Sequence, residues 1–227
     1  MDTFKLGAPI ALAHAMEVGM FSAAALLIGM LGANALAAHH VALQLTTLSF
    51  MIPLGLSQAV SVKVGEFYGA RNLKNIRMVA LCGLVLATFS AIISGSLFWF
   101  APEWLASIFL DRNLNNSASG LSVVEYAEVS GIIINILFIA ALFQLVDGWQ
   151  VNLMGVLRGF KLGASPTLAA IFSYWFIGFP CSYLLLSSFG AAGVWMGMGV
   201  GLAVSAIILA YLFKRELSKQ SVVNFGL

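Results

Sequence analysis

The chain reads as an all-α integral membrane protein, a bundle of six transmembrane helices forming one unit over residues 1–227. Three observations predict this. Hydrophobic residues make up 61% of the sequence and charged residues 9%, about a third of the charged share of a soluble domain. Residues 18–62 and 162–213, runs of 45 and 52 residues, contain no Asp, Glu, Lys or Arg, and each is long enough for about two spans of roughly 20 residues. Lys and Arg gather in the connections on one side of the resulting topology. There is no charge block, long linker or low-complexity tract, the net charge of +2 says little about partners, and no nucleic-acid partner is expected.

The spans are predicted at 8–31, 36–62, 78–100, 129–155, 167–188 and 191–213. Pro9 suits the first turn of the first helix, where a missing N–H loses nothing. Glu17 interrupts that apolar run and no clean small-residue cleavage site follows, so the segment reads as a retained helix rather than a signal peptide. The second span begins near His39 and His40, read as interfacial. It contains Pro53, which should kink it and free a carbonyl one turn earlier. The stretch after it sets Lys63, Glu66, Arg71 and Lys74 beside Val64, Phe67 and Tyr68, the pattern of a short interfacial helix. Pro102 ends the third span. An external loop to about Tyr126 follows, with a glycosylation-like N-N-S run at Asn115. The fourth span carries Asp147. Pro166 opens the fifth, and Pro180 should kink it. The sixth carries Gly193, Gly197 and Gly201, a small-xxx-small stripe for close helix packing. Cys82 and Cys181 fall within spans and read as inert thiols rather than a disulfide framework.

Six spans put both termini on one side. That side holds ten of the eleven basic residues, and the other holds only Arg112. The positive-inside bias makes both termini cytoplasmic.

Glu17 and Asp147 are the informative residues. A carboxylate at bilayer depth costs about 2.5–3.5 kcal/mol on insertion scales and marks a functional site by default. At 1.5 Å per residue both acids lie roughly 12–14 Å from the cytoplasmic face, on helices of opposite direction. His14 shares a helix face with Glu17. Gln144, Asp147 and Gln150 recur every three residues, with Asn135 and Asn152 on the same helix. Such oxygens suit a hard cation such as Na⁺, and a desolvated acid without a basic partner suits proton uptake equally well.

The run GAPIALAHAMEVGMFSAAALLIGMLGANALAAHHVALQLTTLSFMIPLGLSQAVSVKVGEFYGA resembles the seventh and eighth helices of the multidrug and toxic compound extrusion (MATE) transporters. FQLVDGWQVNLMGVLRGFK and SYWFIGFPCSYLL resemble that family's tenth-helix region and eleventh helix, so the likeness runs through nearly the whole chain. It implies one lobe, the C-terminal one, of a twelve-helix transporter of the sodium- or proton-coupled bacterial branch. It further implies that Glu17 and Asp147 bind the coupling cation, with Na⁺ possible as the metal, and that no cofactor is used. Phe143 stands where some relatives have a tyrosine one turn before the aspartate, which removes a hydroxyl from the shell. Pro53 and Gly55 match the P-x-G feature of the eighth helix. Arg158 matches the arginine of an L-R-G sequence and is placed as a cytoplasmic anchor.

The resemblance makes the expected function cation-coupled antiport of organic, often cationic, drugs across a bacterial inner membrane. The chain matches only the second of two lobes. The expected partners are therefore small-molecule substrates, the bilayer, and either the missing N-terminal lobe or a second copy in a parallel dimer. A fragment or a non-transporting truncated product is the corresponding expectation for a chain of this length. A lipid-linked saccharide flippase of the same superfamily is the alternative, disfavoured because no Lys or Arg lies deep in a predicted span. An intramembrane enzyme is disfavoured by the absence of H-E-x-x-H, G-x-S-x-G and D-D-x-x-D sequences.

Overall fold

A chain this apolar can satisfy its backbone within a bilayer only by hydrogen-bonding inside each helix, and the computed structural model, which describes residues 2–110 and 123–225, is helical almost throughout. The elements are α1 (Asp2–Gly29), α2 (Ala33–Gly69), α3 (Leu73–Phe100), the short α4 (Pro102–Phe109), α5 (Val123–Gly159), α6 (Ala164–Ile171), a π-helical stretch (Phe172–Gly178) and α7 (Phe179–Phe225). Asn115 and Arg112 lie outside the described residues.

Among the described residues five helical stretches are long and apolar enough to cross a membrane, the last running from Ala164 to Gln220. The sixth span emerges from that last stretch at Gly190, whose φ of 59° and ψ of −139° break the helix. Across this break the chain folds back on itself. A Cβ on Gly193 would meet the Leu185 carbonyl, one on Gly197 would meet Ser182, and one on Gly201 would meet Gly178. These pairs have a nearly constant sum of residue numbers, the signature of an antiparallel hairpin. Ser182 Oγ also donates to the Val194 carbonyl at 3.0 Å. The small-residue stripe is thus the contact surface between the fifth and sixth spans.

The turns at the basic end share one design. Arg71 (φ 55°) and Lys161 (φ 61°) adopt left-handed conformations. Arg71 N–H reaches the Tyr68 carbonyl and Asn72 N–H the Phe67 carbonyl; Lys161 and Leu162 repeat this with Arg158 and Leu157. Each is a Schellman cap, with a cation in place of the usual glycine at a helix C-terminus.

Several local expectations are corrected. Pro9 lies inside α1, well past its first turn, and its carbonyl accepts from Thr167 Oγ1 at 2.8 Å, tying α1 to α6. Residues 63–69 form no separate interfacial helix. They are the last turns of α2, held by Val64, which is fully buried in a small core with Ile76, Val156, Phe160 and Leu217. The two in-span prolines sit inside helices as expected: Pro53 is buried within α2. Pro180 lies two positions beyond the π-helical stretch, which ends at Gly178, so the backbone just before it is adjusted by widened hydrogen-bond rings.

Candidate functional site

α1, α2 and α5 enclose a cavity of ≈ 550 Å³ that contains both intramembrane acids. α1 contributes His14, Glu17, Phe21 and Ser22; α2 contributes His40, Thr46, Thr47 and Phe50; α5 contributes Phe143 and Asp147. The equal depth read from helix rise therefore translates into one shared site, and Glu17 lies within electrostatic reach of Asp147. The wall is otherwise apolar, so each polar atom in it weighs heavily.

The two acids are held differently. Asp147 is 5% exposed, and its Oδ1 is buried with no hydrogen-bond partner. An orphaned carboxyl oxygen in such a setting is expensive unless something fills it. Gly148, next in sequence, faces α2 and α3: a Cβ there would make ordinary contacts with Ala87 at 3.6 Å and Pro53 at 3.8 Å. Glu17 is 19% exposed and has a basic neighbour, His14, whose Nδ1 is 3.5 Å from Glu17 Oε2.

His14 in turn meets Arg158, with Nη2 to Nε2 at 3.4 Å. Arginine only donates, so His14 Nε2 accepts and neutral His14 carries its proton on Nδ1, facing Glu17. Arg158 is therefore more than a cytoplasmic anchor. α5 runs one turn beyond the predicted end of the span, to Gly159, and that turn brings the guanidinium to the end of a Glu17–His14–Arg158 chain.

The accessory residues divide. Phe143 is in the wall, packed edge-on against Trp195 and Phe21 with ring centroids 5.4 and 6.3 Å away. Gln144 and Gln150 are buried but turned from the cavity. Gln144 Nε2 donates to the Thr46 carbonyl at 3.0 Å, and Gln150 Nε2 donates to the Tyr174 hydroxyl at 2.7 Å. They brace α5 against α2 and the π-helical stretch. Asn152 Nδ2 donates to the Gly148 carbonyl of its own helix. Asn135 belongs to a different, smaller cavity beside Glu128.

His39 departs most from expectation. It is not interfacial but fully buried, and Trp195 Nε1 donates to its Nδ1 at 3.1 Å. The adjacent His40 is exposed and lines the cavity. Sequence reasoning did not single out Tyr174, Thr46 or Trp195. Their partners lie far away in the chain, and no local pattern marks them.

Among the described residues no group of three or more His, Cys, Asp or Glu side chains could hold a metal ion. The two carboxyls share the cavity with the hydroxyl-bearing side chains of Ser22, Thr46 and Thr47.

The MatE family profile matches residues 9–184, most of the chain. The chain belongs to the MatE family. Relatives include a probable multidrug resistance protein NorM of Pseudomonas syringae, 37% identical over 97% of this chain and 47% of that protein. The probable NorM of Agrobacterium fabrum is 40% identical over 95% of the chain and 46% of its own length. This MatE chain spans about half the length of the curated relatives it matches. Its fold superposes on the crystal structure of a MATE protein in complex with MaL6 with a TM-score of 0.85 at 19% identity, covering 97% of this chain and 47% of that one. The eukaryotic MATE transporter AtDTX14 gives 0.79 at 24% identity, over 96% and 47%. MatE proteins are transporters rather than enzymes, and the six-helix bundle is the MATE fold over half its usual extent.

Proposed function

We propose that this unit is the C-terminal lobe of a cation-coupled antiporter for organic, often cationic, compounds, seated in a bacterial inner membrane with both termini cytoplasmic. Asp147 carries the reading. Its side chain lines a cavity shared with Glu17, its buried Oδ1 has no hydrogen-bond partner, and a proton, Na⁺ or another cation would answer it. Release of that cation would leave a desolvated charge, a free-energy difference that another cation could exploit. The cavity wall contains no Lys or Arg, which weighs against an anionic phosphate cargo. The names of the relatives agree with drug efflux. The opposite wall of the substrate cleft would come from a second lobe or a second copy.

The test is neutralisation within a complete two-lobe transporter carrying this lobe. Glu17→Gln and Asp147→Asn should each abolish uphill, ion-driven efflux while leaving expression and folding intact, because the isosteres keep volume. His14→Ala should do less. Export against a gradient by both neutralised forms would sink the coupling role.

A further inference from the structure

A second large cavity, ≈ 820 Å³, lies on another face of the bundle and is almost wholly apolar. Its walls are α3, with Leu81, Val85, Phe89 and Ile92, and the distal limb of α7, with Ile207 and Ala210; α5 forms the floor with Trp149. The one polar pair in it is self-satisfied, Trp149 Nε1 donating to Thr88 Oγ1 at 2.8 Å. From Leu81 to Ile92 the groove is about 16 Å long at 1.5 Å per residue. Half of a bilayer's hydrocarbon core is about 15 Å, so the groove matches one leaflet.

Both walls end in cations. On α3 the stripe Leu81, Leu84, Val85 and Thr88 continues backward at helical spacing to Arg77 and Lys74. On α7 the stripe Ile207 and Ala210 continues forward to Lys214. All three basic side chains are exposed, and none makes an ion pair among the described residues; the acids at this end, Glu66 and Glu216, pair with Lys63 and Lys219.

We propose that this groove binds an anionic phospholipid, its acyl chains along α3 and α7 and its phosphate held by Lys74, Arg77 and Lys214. An apolar trough one leaflet deep, with unpaired cations at its mouth and no acid in its lining, complements such a lipid in shape and charge. The inference depends only on membrane insertion and is independent of what the other cavity transports.

Trp149 reports on the groove directly. It is 38% exposed there, whereas Trp195, in the core, is fully buried. The experiment reconstitutes the full chain in phosphatidylcholine vesicles and titrates in phosphatidylglycerol or phosphatidylcholine with brominated acyl chains. The Trp149 signal is taken as the difference between wild type and Trp149→Phe. Each basic side chain near a membrane surface is worth about fivefold in binding an anionic lipid, so after screening half-quenching should need roughly tenfold less brominated phosphatidylglycerol than phosphatidylcholine. Lys74→Gln, Arg77→Gln and Lys214→Gln combined should bring that ratio to about one, while Lys63→Gln, at the same end but paired with Glu66, should leave it unchanged. Equal quenching by the two lipids in wild type would overturn the proposal. So would a preference that survives the triple substitution, or a Trp149 shielded from both lipids because a second copy covers the groove.

Discussion

Gly197→Ala tests the hairpin that makes the last two spans. A Cβ at 197 would clash with Ser182 N and Cα and lie 2.5 Å from Ser182 Oγ. Two of these atoms are backbone, so no side-chain rotation relieves the clash. The limbs must part by about 1 Å, at an overpacking cost of about 1–3 kcal/mol. The same separation loosens the bond from Ser182 Oγ to the Val194 carbonyl, worth about 0.5–1.5 kcal/mol. Gly199 is the control. Two residues along the same helix, its added Cβ would meet only Phe143 Cδ2, at an ordinary 3.7 Å. Both substitutions gain the same helix propensity, up to about 1 kcal/mol, which cancels in their difference. Gly197→Ala should therefore be less stable than Gly199→Ala by about 2–4 kcal/mol. Unfolding in mixed micelles with rising sodium dodecyl sulfate, followed by far-ultraviolet circular dichroism, measures this. A difference below about 0.5 kcal/mol, the scatter expected of an ordinary surface change, would refute the packing argument.

Trp195→Phe should cost about 1–3 kcal/mol in the same assay, because it strips the donor from buried His39 Nδ1, and adding His39→Phe should recover part of that loss by removing the acceptor as well; a double variant as unstable as the summed singles would contradict the pairing. Topology is checked in intact cells with Cys82 and Cys181 replaced by Ala. A cysteine at Glu103, exposed on α4, should react with an impermeant thiol reagent and one at Asn75 should not; the reverse pattern would invert the orientation.

The spans were legible because composition and length alone decide them. Even the near-seamless join of the last two was placed by length, since a charge-free run of 52 residues holds about two spans. The acids were legible because bilayer depth makes them costly wherever they point. What escaped were features decided by partners distant in sequence. His39 looks like an interfacial residue until Trp195, 156 positions later, is seen donating to it. Arg158 looks like a loop anchor because the apolar run fades at Gly155, yet α5 continues for another turn. Gln144 and Gln150 have the right spacing for ligands, but a helix period of three places residues near a face without saying which amide finds a carbonyl first. Gly155 and Gly159 carry a small-xxx-small signal that was there to be read. They admit Ser57 and Val64 of α2, the approach that fixes α2 against the last turns of α5.

The unequal settings of the two acids bear on how an exchange of the proposed kind would be coupled. Glu17 has a standing neighbour in His14, itself backed by Arg158, so its charge is partly answered whatever occupies the cavity. Asp147 has none on Oδ1, so its state depends most on occupancy. A proton, an inorganic cation and an organic cation would then compete for the same oxygen. Competition of this kind couples two ligands without any signal between distant sites, and its strength is bounded by how differently each binds in the two lobe arrangements. The apolar wall raises that bound, since an unanswered charge costs more there than in water. Asp147 is itself almost wholly buried, so water answers little of its charge. Coupling in this reading rests on a carboxylate that has nowhere else to be satisfied.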